Sequence, residues 1–126
     1  MNPSEYLETV TERLLTDPLI ESFRILRERC TGFDAHLRAL LALTGGSRLE
    51  FSEYVQMAPN ETIQVTTYSY HWTAADGSLI RRWDNTPHYP NLPGFPHHVH
   101  SGSAQEVQPG KPMSIHLVLD ELTIAT

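Results

Sequence analysis

The chain has a single cysteine, Cys30, so no disulfide can close within it, and a reducing compartment is the natural expectation. Cys30 itself reads as a small buried hydrophobe. No apolar run approaches the length needed to span a bilayer, and Met1-Asn2-Pro3-Ser4-Glu5 has neither a basic nor an apolar leader region. A cytoplasmic protein with no membrane partner is expected. Internal repeats are absent, as are paired cysteines and a helical HExxH, so no strong metal motif is present. Positive charge is also scarce. Nine Lys and Arg against fifteen Asp and Glu leave a formal net charge of −6, which excludes a surface that attracts nucleic acid everywhere. Most of the cations lie between Arg24 and Arg48 or at Arg81 and Arg82, so a local basic site on an acidic body remains open.

What is present is one domain's worth of ordinary globular sequence. The 126 residues are 40% hydrophobic and 19% charged, enough to bury a core without metal or disulfide. Residues 1–17 read as an N-terminal helix: Asn2 caps, Pro3 suits the first helical position, Glu5 completes a capping box, and Leu7, Val10 and Leu14 form a stripe. Asp17-Pro18 ends it. Leu19–Cys30 fits a helical face or a strand, and strand is preferred because Thr31-Gly32-Phe33-Asp34 reads as a turn into a second strand, His36–Leu43. Gly45-Gly46 then turns the chain into Arg48–Gln56, where Glu53 shares a face with Leu49, Phe51 and Val55. An acid so placed is at the sheet's margin or held by partners. Thr62–Trp72 is the most β-like segment, and Asp76-Gly77 leads into Ser78–Asp84.

Pro87, Pro90, Pro93 and Pro96 then recur every third residue, so 86–96 is expected as a stiff loop crossing an end or edge of the sheet. Ser101–Gln108 has room for one short strand. A C-terminal helix is expected over 113–124, with Ile115, Leu119 and Leu122 apolar. The expected fold is α+β: an antiparallel meander of about five strands flanked by an N-terminal and a C-terminal helix, with sheet and Pro/His-rich loop over 19–109.

Chemistry concentrates in Arg81–His100, which holds four of the seven histidines. Three readings compete. In phosphodiester cleavage, His98 and His100 share the acid and base roles, Arg82 or Arg81 grips phosphate, Asp84 orients a partner, and Tyr70 or Trp72 stacks a base. RNA would then be the substrate of an endoribonuclease needing no cofactor. In the second, His98 and His100 hold a divalent metal, with His88 or a carboxylate completing the shell. In the third, the loop is a hydrogen-bonded surface for binding another protein, and Tyr70, Trp72, Arg81 and Arg82 serve packing or ion pairs.

The runs Tyr68-Ser69-Tyr70-His71-Trp72, Gly77–His88 and Phe95-Pro96-His97-His98-Val99-His100, with Gly46–Tyr54 before them, resemble the TumE-type toxin family of prokaryotic toxin–antitoxin pairs. The likeness covers about residues 20–122 and leaves the N-terminal helix outside. It implies a small cytoplasmic toxin neutralised by direct binding of an antitoxin with a helix-turn-helix domain, and leaves a homodimer open. It singles out Glu53, Arg82, Asp84, Asn85, His88, His98 and His100. It does not carry a biochemical target, so RNA cleavage rests on side-chain chemistry alone.

Overall fold

A computed structural model of the chain describes residues 1–102 and 106–125. Helix α1 (Pro3–Thr16) is followed by strands β1 (Ile20–Cys30), β2 (Asp34–Leu43), β3 (Arg48–Met57), β4 (Ile63–Thr73), β5 (Leu79–Asp84), β6 (His98–Ser101) and β7 (Glu106–Pro109), then helix α2 (Ile115–Ala125). The strands form one antiparallel sheet in sequence order. The α+β meander with two terminal helices is therefore as expected, but it has seven strands rather than about five. The difference has a local cause. Pro96 is the last proline of the run, so from His97 onward each backbone N–H is available, and His98–Ser101 returns to pair with β5 instead of staying in the loop. The single strand expected over Ser101–Gln108 is in fact the end of β6 and most of β7, with residues 103–105 outside the described ones.

Two of the hairpins, β2–β3 and β4–β5, turn where glycine accepts positive φ, at Gly45-Gly46 (87° and 95°) and at Gly77 (88°). Alternation in β2 and β3 then does the sorting. Leu37, Ala39, Leu41 and Leu43 face one side with Leu49, Phe51 and Val55, all buried, and the other side mixes His36, Arg38, Ser52 and Tyr54 with Leu40 and Ala42. Both helices cover the apolar side: α1 with Tyr6, Leu7, Val10 and Leu14, α2 with Ile115, Val118, Leu119 and Leu122. The opposite face of the sheet carries no helix.

The N-terminus of α1 is closed as its sequence predicts. Asn2 Oδ1 accepts from Glu5 N at 2.8 Å, and Glu5 Oε1 accepts from Asn2 N at 3.0 Å. Asn2→Ala is expected to cost about 1 kcal/mol, read as a lowered midpoint in urea denaturation with an unchanged slope. Cys30 differs from expectation. It lies on the edge strand β1, whose outer side has no neighbouring strand, and its thiol is exposed rather than buried.

Candidate functional site

Strand periodicity and register assemble the site. On β5, Arg82 and Asp84 are two residues apart and point to the open face, while Arg81 and Trp83 point to the helix-covered face. On β6, Val99 separates His98 from His100, so both imidazoles share a side. Pairing sets Arg82 opposite His100 and Asp84 opposite His98, which brings four chemically active side chains into a two-by-two square. Gly110 fixes one corner. A Cβ there would stand 2.8 Å from His98 N, so only glycine lets the end of β7 lie against the start of β6.

Asp84 is the hub, and it is nearly buried. Its Oδ1 lies 2.7 Å from His98 Nε2 and accepts from Thr86 N at 3.2 Å; its Oδ2 accepts from Arg82 Nε at 3.0 Å. His100 Nε2 stands 3.7 Å from the same Oδ2. His98 is also buried, and its Nδ1 is 3.0 Å from the Pro96 carbonyl oxygen, which can only accept. Both ring nitrogens thus face groups that can accept a hydrogen bond, the Asp84 carboxyl on one side and the Pro96 carbonyl on the other.

His100 has the opposite arrangement. Arg82 Nη2 is 3.0 Å from its Nε2, and a guanidinium only donates, so that nitrogen is an acceptor and the ring is neutral with its proton on Nδ1. Burial lowers the pKa of His100 below the usual histidine value, and the charges of Arg82, His98 and His88 lower it further against the pull of Asp84. The square thus contains a buried imidazole held between two acceptors, a neutral imidazole whose lone pair accepts from Arg82, and an arginine between that lone pair and a carboxyl group.

The Pro-rich loop covers one side of the square. Tyr89 stands edge-on to His98 and His100, with ring centroids 5.2 and 6.3 Å away, and edge-on to His88 at 6.0 Å. Its φ is 60°, a left-handed conformation that is uncommon for a residue with a side chain. A cavity of about 300 Å³ opens beside it, lined by Leu79, Arg82, Tyr89, His100, Gly102 and Val107. His88 is exposed next to Tyr89 and is not among the residues that line the cavity. Tyr89 is the residue that sequence reasoning missed; its position before Pro90 in a histidine-rich loop was the available signal.

The remaining candidates lie elsewhere. Glu53 is on the helix-covered face, 1% exposed, where it accepts from Tyr6 Oη at 2.7 Å, Tyr70 Oη at 2.6 Å and Ile115 N at 2.6 Å. Of the two placements its pattern allowed, it is held by partners rather than at the margin. Tyr70 is spent on that bond and is fully buried. Trp72, on the same face, donates Nε1 to Ser47 Oγ at 3.0 Å. Arg81 places its guanidinium over the Trp83 ring, 5.7 Å from the centroid. Asn85 latches the end of β5 to β4, accepting from Tyr68 N and donating to the Thr66 carbonyl, both at 2.9 Å. Among the described residues, one group of His, Cys, Asp and Glu has metal-ligand proximity: donor atoms of Asp84, His98 and His100 lie within 4.8 Å of one another.

A helix-free sheet face carrying a linked Arg–Asp–His–His square beside a cavity defines a small α+β protein whose titratable side chains gather at one place. The chain belongs to the Toxin TumE family, whose model matches residues 10–125. The match takes in the second half of α1, so the family likeness extends further towards the N-terminus than residue 20. No curated protein and no solved structure matches the chain. Membership in a toxin family implies an antitoxin as partner. No helix among the described residues is long and apolar enough to cross a membrane.

Proposed function

We propose that this toxin is a ribonuclease that needs no metal, with His100 as general base, His88 as general acid and Arg82 as the phosphate-binding group. The observation that supports it most is the placement of Arg82, whose guanidinium is shared between Asp84 and the lone pair of His100 at the rim of the cavity. A phosphate entering the cavity draws that guanidinium towards itself, because a doubly charged hydrogen bond outcompetes one to a neutral imidazole. His100 Nε2 is thereby freed. It takes the proton of a ribose 2′-hydroxyl, the 2′-oxygen bonds to phosphorus, and the bond from phosphorus to the 5′-oxygen breaks. His88 gives its proton to that leaving oxygen, and a 2′,3′-cyclic phosphate results. His98 is too buried to touch substrate, so it and Asp84 are positioning residues that hold Arg82 at its angle.

The test is induced expression of the wild type beside His100→Ala at matched soluble levels, followed by growth and total RNA. Wild-type arrest with RNA fragments bearing cyclic phosphate ends, and neither with His100→Ala, is the expected result. Equal arrest by both chains without fragmentation would instead make the histidine loop a non-catalytic interaction surface. A helix-turn-helix antitoxin would then be measured by co-purification.

The proximity of Asp84, His98 and His100 donor atoms favours one other reading, a bound divalent ion. The two readings divide at Arg82, since a cation on His100 Nε2 must displace the guanidinium now 3.0 Å from it. On the metal reading Arg82→Ala strengthens Zn²⁺ binding in a calorimetric titration; on the metal-free reading the wild type binds no stoichiometric ion and keeps its activity in chelator.

A further inference from the structure

The helix-free face of the sheet is not evenly polar. Two adjacent cross-strand rows run over it from the β1 edge to the site. One reads Arg27, Arg38, Ser52, Ser69, Asp84 and His98, each paired with the next. The other reads Arg24, Leu40, Glu50, His71, Arg82 and His100 in the same manner. Arg24, Arg27 and Arg38 are exposed, and Arg29 pairs across from His36 on this same face. The arginines are close enough together that Arg27, Arg29 and Arg38 all lower the pKa of His36, after burial. Midway along the rows the face dips into a shallow recess of about 190 Å³ whose rim includes Arg38, Ser52, Ser69 and His71.

Much of the acidic charge lies on the helices. Helix α1 contributes Glu5, Glu8 and Glu12, and α2 contributes Asp120 and Glu121, all on the far side of the sheet. A chain of net charge −6 therefore presents Arg24, Arg27, Arg29, Arg38 and Arg82 on the one face that also carries the site. Glu50 and Asp34 lie there too, paired with Arg38 at 3.3 Å and Arg29 at 3.2 Å, through surface contacts that a phosphate can replace.

We infer that single-stranded RNA binds across this open face, with its backbone led from Arg27 and Arg38 over the recess to Arg82. This rests on the ribonuclease reading for its choice of polyanion. Strands about 4.8 Å apart set the two ends of a row roughly 24 Å from each other. That reach suits a few nucleotides of extended single strand, near the lower bound of about 4 nucleotides for single-strand sites. His71 and the Tyr89 ring offer flat surfaces along the way. An acidic segment of a protein partner is the competing occupant.

The experiment uses the full chain carrying His100→Ala, to stop turnover, with and without Arg27→Ala/Arg38→Ala. Fluorescence anisotropy with a single-stranded oligoribonucleotide of about 12 nucleotides is recorded over a range of KCl concentrations. The double substitution is expected to weaken binding about tenfold or more and to reduce the slope of log affinity against log salt by about 1.4, at about 0.7 per lost phosphate contact. Both positions are exposed, and a thermal melt confirms that the variant is folded. Unchanged affinity and slope overturn the track. So does a weaker antitoxin complex with unaltered RNA binding, which assigns the face to an acidic protein segment. Cleavage of a dinucleotide, too short to reach either arginine, is measured on Arg27→Ala/Arg38→Ala with His100 restored. Its rate is expected to match the wild type. If the wild type does not cut it while the oligomer still binds through the arginines, the site chemistry fails and the track stands.

Discussion

Arg82→Ala is expected to lower RNA cleavage by at least about a hundredfold and, in the residual activity, to move the acidic limb of the pH–rate profile to higher pH. The first effect follows from the loss of the forked donor that meets developing charge on the phosphate. The second comes from His100. As a base it must be unprotonated, so the limb reports its pKa, which burial and then Arg82 hold below the ordinary histidine value. Without the guanidinium, the opposing pull of Asp84, 3.7 Å away, is no longer offset, and the pKa of His100 rises. Arg82→Lys restores positive charge but cannot bond Asp84 and His100 through one planar group, so it should recover the pH limb better than the rate. A merely structural arginine would depress activity without moving the limb. A variant that cleaves at the wild-type rate removes Arg82 from the site.

Some of this was legible in the residues alone. Period-two alternation in β2 to β5 gave the faces correctly, because each side chain's side is fixed by counting from a neighbour. On β5 it puts Arg82 and Asp84 on one side before any pairing is known. What the sequence does not contain is the register joining Arg82 and Asp84 to His100 and His98. The loop between them is long, and its prolines specify stiffness rather than where the chain returns. For the same reason β6 was read as part of the loop. Its first residue follows Pro96 closely, and nothing local says that pairing with β5 resumes at His98. The choice between margin and partner for Glu53 was similarly open, since Tyr6 and Ile115 are 47 and 62 positions away. Residue type does not fix the depth of Cys30, because an edge strand exposes apolar and polar residues alike.

Glu53→Ala is expected to destabilise the fold by about 3 kcal/mol, a large share of the 5–15 kcal/mol typical of a domain, and to lower the melting temperature by on the order of 10 °C. The carboxylate ties three elements to β3: α1 through Tyr6, β4 through Tyr70 and the first turn of α2 through Ile115 N. Alanine leaves two phenol hydroxyls and a backbone N–H buried without an acceptor, each costing about 1–3 kcal/mol, partly offset because no buried charge remains. Glu53→Gln keeps one acceptor oxygen but turns an amide donor towards the remaining donors, so it should lie between wild type and alanine. Its pH dependence identifies the mechanism. Burial raises the Glu53 pKa, against the lowering effect of its three hydrogen bonds, so the folded chain holds that proton more tightly than the unfolded one. The contribution of Glu53 to stability is then full below the unfolded carboxyl value and falls as pH rises through the folded one. The penalty of Glu53→Gln in chemical denaturation should accordingly be greater near pH 5 than near pH 7. A penalty that grows with pH instead would mean that the hydrogen bonds outweigh burial. Folded Glu53→Gln should also cleave RNA at the wild-type rate, because the sheet separates this carboxylate from the Arg82–His100 face; a cleavage defect larger than the loss of folded protein would bring Glu53 back into the chemistry.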